Sequence, residues 1–346
     1  MKNEHVLLRE IHEQPTAMRE TLDAERRQIS EVARFLGRKH LHFLGMGSSY
    51  FASLYAKYLF QEQRLVEAHL ASEFVHYPLA PEPKDVFVAI SQSGESVETV
   101  KTAELLNGKH TPILGITNDP ESRLAKLSDQ VLLTHAGKEK ASSTKTFSST
   151  LALLYELANT LAARTGRINQ RRKDLLSNRL TQTILVLEDR FGGWEESSRV
   201  WAGRLASCRS AMVIGRGPKL IAALQGALLL KEVVKLPAEG LSGGEFTHGP
   251  IEAVSKDIGV IVLGGGATAG LQIKLAERAK TLGGRVLMLA PLKVRKIDSI
   301  DFGRLDEALM VFPCNILLNL LTYHAAIKNG LNPDRFNVIS KITRRE

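Results

Sequence analysis

Two stretches of the chain, Gly45-Met46-Gly47-Ser48-Ser49-Tyr50 and Ser91-Gln92-Ser93-Gly94-Glu95-Ser96, each follow an apolar run and open a helix-like pattern. A turn of this kind narrows the fold sharply. It joins a strand to the helix that follows, and it leaves helix N–H groups aimed at whatever lies beyond the strand. Glycine lets the backbone come close to an anion, and Ser or Thr hydroxyls donate the remaining hydrogen bonds. A third hydroxyl-rich stretch, Ala141-Ser142-Ser143-Thr144-Lys145, stands at another helix start. Together the three point to a site for a phosphorylated small molecule.

Strands and helices alternate around these turns. Ile11, Met18, Leu22, Ile29, Val32, Ala33 and Leu36 recur at helical spacing, so the segment from Leu7 to Gly37 reads as helix, its main part starting at Pro15. Strands are expected over 41–44, 67–71, 86–90, 112–117 and 130–134, with helices over 50–61, 97–106, 122–127 and 145–163. A polar, helix-prone connector follows, and then the pattern restarts. Strands are expected over 211–214, 260–263, 285–290 and 308–312, with helices over 220–234, 271–282 and 315–329. Gly45-Met46-Gly47 lines up with Gly215-Arg216-Gly217, and Ile90-Ser91-Gln92-Ser93-Gly94 with Leu263-Gly264-Gly265-Gly266-Ala267. The two offsets differ by only three residues, which implies a duplicated α/β unit, each copy a parallel sheet covered by helices on both faces. The first copy keeps hydroxyls where the second has glycine and alanine, so the phosphate belongs to the first.

Composition sets outer limits. A length of 346 residues suits two domains. No apolar run reaches the ~20 residues of a bilayer span, and the polar start Met1-Lys2-Asn3-Glu4-His5 is unlike a signal peptide. A cytoplasmic location without membrane contact is the expectation. Cys208 and Cys314 lack metal-ligand spacing and read as buried small side chains. The net charge of +9 is scattered, and the clusters Arg26-Arg27, Arg171-Arg172-Lys173 and Arg344-Arg345 lack interleaved aromatics. That pattern argues against a nucleic-acid partner and fits attraction of a sugar phosphate.

The second copy carries its own chemistry between Lys231 and Pro250. Glu232 follows an apolar helix, Glu239 and Glu245 lie in a Gly-rich loop, and His248 stands between Thr247 and Gly249-Pro250. A carboxylate that takes a proton beside a carbonyl, with an imidazole that opens a sugar ring, is what aldose–ketose chemistry requires. On spacing alone Glu232 also reads as a solvated carboxylate between Lys231 and Lys235, and His248 also reads as a structural turn histidine.

These residues resemble the double sugar isomerase (SIS) domain family, in particular the isomerase part of glucosamine-6-phosphate synthase and stand-alone deaminase and deglycase relatives. The resemblance is carried by Glu13-Gln14-Pro15, the G-M-G-S-S-Y and S-Q-S-G-E-S turns and the A-S-S-T-K-T-F block. It extends through K-E followed by G-E-F-T-H-G-P, and through Tyr323-His324 and Ser340-Lys341. It implies an α/β fold of two tandem SIS domains, each a flavodoxin-like three-layer sandwich. The expected layout is a helical lead-in over 1–36, SIS domains over 37–165 and 196–330 joined by 166–195, and a tail over 331–346 that covers the site.

By the same resemblance Ser91, Gln92, Ser93 and Ser96 hold the phosphate, while Ser48, Ser49, Ser142 and Ser143 line the sugar. Glu232 matches the base that moves a proton between C1 and C2. His248 matches the ring-opening histidine, supplied by a neighbouring subunit of a homodimer, and Lys341 matches a lysine at the sugar end. Gln225 and Leu229 stand where the synthase has a glutamate and a lysine, and no glutaminase part is expected ahead of Met1. The expected activity is therefore conversion of glucosamine 6-phosphate, or a close analogue, to fructose 6-phosphate and ammonia, with no metal or organic cofactor. A fructosamine-6-phosphate deglycase and a non-catalytic sugar-phosphate sensor are the alternatives.

Overall fold

Each of the two strand series closes into one five-stranded sheet, and every strand pairing in both sheets is parallel. The computed structural model describes residues 5–61 and 65–338. Two helices, α1 (Val6–His12) and α2 (Gln14–Leu36), precede the first strand, with Pro15 in the opening turn of α2. The first series then runs β1 (His40–Gly45), α3 (Ser48–Phe60), β2 (Val66–Leu70), α4 (Ala71–His76), β3 (Asp85–Ile90) and α5 (Val97–Asn107). It ends with β4 (Ile113–Thr117), α6 (Arg123–Leu127), β5 (Gln130–Leu133) and α7 (Lys145–Arg164). After α8 (Gln170–Ala206) the second series begins with β6 (Ser210–Gly215), α9 (Lys219–Leu229), a π-helical turn over Leu230–Val234, β7 (Ala238–Ser242) and α10 (Gly243–Thr247). It continues through β8 (Ile258–Leu263), α11 (Ala269–Thr281), β9 (Arg285–Ala290) and β10 (Asp298–Asp301) to α12 (Val311–Lys328).

The chain divides into two compact units, one built on residues 13–139 and 143–184, the other on 5–12, 140–142 and 185–337. In the first unit the strand order is β2-β1-β3-β4-β5, and in the second it is β7-β6-β8-β9-β10. These are the same flavodoxin-type order, so the duplication visible in the turns extends to the whole topology. All six residues of β3 are buried, as expected of a central parallel strand with both faces covered. One face of the first sheet packs Leu44, Phe87, Ala89 and Ile113 against Phe74, Ala103, Leu106 and Leu124 of α4, α5 and α6. Helix α7 packs against both α2 and α3, and most of it is buried.

In the second unit Val260, Val262, Met288 and Ile214 meet Leu275, Ala276 and Ala279 of α11. The segment Glu307–Lys328 is long and apolar enough to cross a bilayer, yet 94% of its most apolar window is buried in the protein, which makes α12 a core helix. The same unit takes in α1, whose first amides, Val6 and Leu7 N–H, donate to the Asp334 carboxylate at 2.9 and 2.7 Å. An aspartate distant in sequence thus caps the helix.

Two sequence expectations need correction. Residues 308–312 form no strand. A 3-10 turn over Glu307–Met310 leads straight into α12, and the fifth strand is the short polar β10. A run of five apolar residues carries no periodicity that separates strand from buried helix, and edge strands are commonly short and polar. The loop expected near Glu239 contains β7, hidden by Gly240. That glycine is required because a Cβ there would come within 2.7 Å of Leu224 Cα, where α9 crosses the strand.

Candidate active site

The order β2-β1-β3-β4-β5 reverses direction between β1 and β3, and ligands of such sheets bind beyond the carboxyl ends of strands at that point. Leu44 pairs with Ala89, so the turns after Gly45 and Ile90 leave the sheet side by side. These are the two hydroxyl-rich turns. In the first, Gly47 has φ +50°, and a Cβ on Gly45 would lie 2.7 Å from the Ser49 carbonyl carbon. The turn therefore closes only with glycine at both places. Ser48 and Ser49 open α3, whose N-cap, Gly47, offers no side-chain acceptor to the helix amides.

The second turn is wired through its own serines. Gly94 N–H donates to Ser91 Oγ at 3.2 Å, Ser91 Oγ donates to Ser96 Oγ at 3.2 Å, and Glu95 N–H donates to Ser93 Oγ at 3.1 Å. Gln92 contributes its carbonyl, which accepts from Asn118 N–H at 3.0 Å and Thr117 Oγ1 at 3.3 Å. Gly94 has φ +63°, and a Cβ there would meet Ser122 Oγ at 2.1 Å. Ser96 stands at the N-cap of α5 without making a capping hydrogen bond. Amides of α5 and small hydroxyls thus converge at the end of β3, an arrangement suited to an anion.

The corresponding place in the second unit is filled by the protein itself. Glu307 Oε2 accepts from Ala267 N–H at 3.0 Å, and its Oε1 accepts from Lys219 Nζ, a fully buried side chain, at 3.0 Å. A Cβ on Gly266 would come within 2.3 Å of this carboxyl group. Burial pushes the Glu307 pKa up, but the Ala267 hydrogen bond and the Lys219 charge outweigh it and hold the carboxyl below its ordinary value. A carboxylate of the chain itself therefore sits at the turn of the second copy that corresponds to the Ser91–Ser96 turn of the first. Sequence comparison of the copies indicated only that hydroxyls were missing; Glu307 lies forty residues beyond the turn and carried no local signal.

At the third stretch Ser142 is buried, and Ser143 Oγ lies 3.3 Å from Thr146 Oγ1. Two carboxylates that motif reading missed hold the flanking backbone. Glu139 accepts from Thr144 N–H at 2.9 Å and Thr146 Oγ1 at 2.6 Å, and Glu10 accepts from Lys140 N–H at 2.6 Å and Ala141 N–H at 3.1 Å. Each lies beside main-chain amides of a loop or helix start, where negative charge is favoured.

Glu232 and His248 belong to the second unit. Glu232 is half-buried in the middle of the π-helical turn Leu230–Val234, which ends at Lys235 in the left-handed conformation with φ +58°. Single π turns inside helices are frequent at functional sites, because the extra residue redirects side chains. His248 is exposed at the C-terminus of α10, and its N–H donates to the Glu245 carbonyl at 3.0 Å. Ser242 Oγ caps the other end of α10, accepting from Glu245 N–H at 3.1 Å. Gln225 and Leu229 are both buried. Lys341 lies outside the described residues. Both cysteines are buried, and burial pushes the Cys314 thiol up to about 12.

Comparison with known proteins agrees with the duplicated fold. The SIS domain profile matches residues 35–160 and 204–295. A glutamine–fructose-6-phosphate aminotransferase [isomerizing] of Pyrococcus horikoshii is 32% identical over 350 residues, a match covering 98% of this chain and 57% of that protein. Its namesake from Thermococcus kodakarensis is 31% identical over 346 residues, covering 97% and 57%. The chain thus spans a little over half the length of these relatives. Among solved structures, the C-terminal domain of glucosamine-fructose-6-phosphate aminotransferase from Francisella tularensis superposes with a TM-score of 0.89 at 23% identity, covering 96% of this chain and 99% of that one. Glucosamine-6-phosphate deaminase from Thermotoga maritima gives a TM-score of 0.76 at 22% identity, covering 97% and 99%. At such identities the structural likeness speaks for the fold alone.

Proposed function

Because the chain belongs to the SIS domain family, we propose that it is a phosphosugar isomerase-type enzyme that converts glucosamine 6-phosphate, or a close analogue, to fructose 6-phosphate and ammonia in the cytoplasm. The observation that carries this reading is the placement of both hydroxyl-rich turns at the strand-order reversal of the first sheet, while Glu307 fills the equivalent place in the second. In the proposal Ser91, Gln92, Ser93 and Ser96 hold the phosphate, and Ser48, Ser49, Ser142 and Ser143 line the sugar. Lys341 meets the far end of the sugar.

The reaction begins when His248 assists opening of the hexose ring, which exposes the C1 aldehyde. Glu232 then removes the C2 proton, and the electron pair moves into a C1–C2 enolamine, whose charge the former carbonyl oxygen takes up. Return of the proton from Glu232 to C1, with one amine proton passing to the O1 alkoxide, leaves a hydroxyl at C1 and an imine at C2. Water adds there and ammonia leaves, so one water is consumed for each ammonia released. No step calls for a metal or an organic cofactor, since the adjacent carbonyl stabilises the developing charge. We further propose a homodimer in which His248 of one protomer serves the Glu232 site of its partner.

The test is incubation of the purified protein with glucosamine 6-phosphate while ammonia and fructose 6-phosphate are followed. Both products are expected in equal amounts, and Glu232→Gln is expected to lower the rate by about 10²–10⁴-fold with sugar-phosphate binding retained. Release of an amino acid from a fructosamine 6-phosphate, without ammonia from glucosamine 6-phosphate, would assign the deglycase reaction instead. Binding without turnover of either compound would contradict an enzymatic role.

A further inference from the structure

Away from the turns, three potential ligands meet on one face of the first sheet. The register sets Glu67 of β2 beside His42 of β1, and His69 beside Leu44. Strand alternation therefore brings His42, Glu67 and His69 to a common face. His42 Nδ1 lies 3.2 Å from His69 Nε2 and 3.7 Å from Glu67 Oε2. The third side of the triangle, His69 Nε2 to Glu67 Oε2, is 3.4 Å. A tetrahedral ion with bonds of about 2.0–2.1 Å has ligand-to-ligand edges of about 3.3–3.4 Å, so the three atoms already stand at coordination spacing.

The surroundings fit the same use. His42 Nε2 lies 3.4 Å from Asp85 Oδ1, and Asp85 Oδ2 is fixed by Glu82 N–H at 2.7 Å. A proton on His42 Nε2 would face Asp85 and leave the Nδ1 lone pair for the triangle, the arrangement of carboxylate-oriented metal ligands. Phe87 stacks on the His42 ring at 4.7 Å and 19°, and Phe74 meets the His69 ring edge-on at 5.6 Å and 61°, so both imidazoles are held in place. His42 is buried, whereas the Glu67 side chain is 42% exposed and leaves the fourth side open to water.

We propose that His42, Glu67 and His69 bind one divalent cation of the zinc class, with Asp85 as the residue that positions His42. Two imidazoles and one carboxylate suit zinc, cobalt or nickel rather than magnesium or calcium. The cation ties the edge strand β2 to β1 and takes no part in the sugar chemistry.

The experiment uses the full chain, stripped with a chelator and titrated with Co2+ as a spectroscopic probe and then with Zn2+. The expected result is the visible absorption of four-coordinate Co2+, saturating at one equivalent and displaced by Zn2+. Glu67→Gln and His69→Gln alter partly exposed residues, and each is expected to weaken Zn2+ binding by more than about tenfold, with Asp85→Asn weakening it by about tenfold. A six-coordinate Co2+ spectrum, or a Zn2+ affinity equal in the wild type and the variants, would overturn the proposal. Should a variant fail to fold, histidine-ring NMR of the wild type decides: two imidazoles shift on addition of one equivalent of Zn2+, and unchanged rings count against the site.

Discussion

Glu307 shows how one side chain distinguishes the two halves of a duplicated fold. Its carboxylate bridges Ala267 N–H and the buried Lys219 ammonium, so the second copy carries its own anion. Because the folded-state pKa of Glu307 is depressed, its contribution to stability is complete above the ordinary glutamate value of about 4.3 and disappears as the pH falls through the folded value. Glu307→Gln is therefore expected to lower stability at neutral pH by about 1–2 kcal/mol, a figure kept small because the carboxylate is 35% exposed. Urea denaturation of both forms from about pH 7 to about pH 3 checks this: the difference should shrink to nothing in acid. An unchanging difference would place the effect elsewhere. The serines of the first copy were legible in the sequence because glycine and hydroxyls cluster within six residues there. Glu307, Glu139 and Glu10 were not, because each meets its backbone partners through tertiary folding rather than as part of a recognisable motif.

At the level of elements, eight of the ten strands among the described residues lie where an apolar run announces them. Two were obscured for physical reasons. β10, Asp-Ser-Ile-Asp, is too polar to stand out, and β7 contains Gly240, which reads as loop. The glycine is there because α9 passes directly over it: a Cβ would approach Leu224 Cα at 2.7 Å and the Ala223 carbonyl oxygen at 2.8 Å. Both obstacles are backbone, so no rotamer change relieves them. Gly240→Ala is expected to cost about 1–3 kcal/mol, read as a lowered denaturation midpoint. An unchanged midpoint would mean that α9 and β7 are more loosely packed than described. The π-helical turn that follows α9 was equally invisible, since a one-residue insertion leaves the apolar spacing of a short helix nearly intact.

For the molecule as a whole, the duplication was legible because two pairs of turns share almost one offset, and the identical strand orders follow from it. Assembly was not, since one sequence carries no direct record of which surface meets a second copy. The proposed sharing of His248 between protomers makes a sharp prediction. Glu232→Gln and His248→Ala proteins, each nearly inactive, should regain about a quarter of wild-type activity when unfolded together and refolded as an equal mixture, because half the dimers are hybrids with one intact site. No recovery would mean that both residues serve the same protomer's site, or that no dimer forms. The account rests on an anion held where β1 and β3 end, and the most direct measurement is the calorimetric affinity for glucosamine 6-phosphate set against glucosamine. The phosphorylated sugar should bind at least about a hundredfold more tightly, and Ser96→Ala should erase about tenfold or more of that preference. Equal affinities for the two sugars, or a preference untouched by Ser96→Ala, would contradict it.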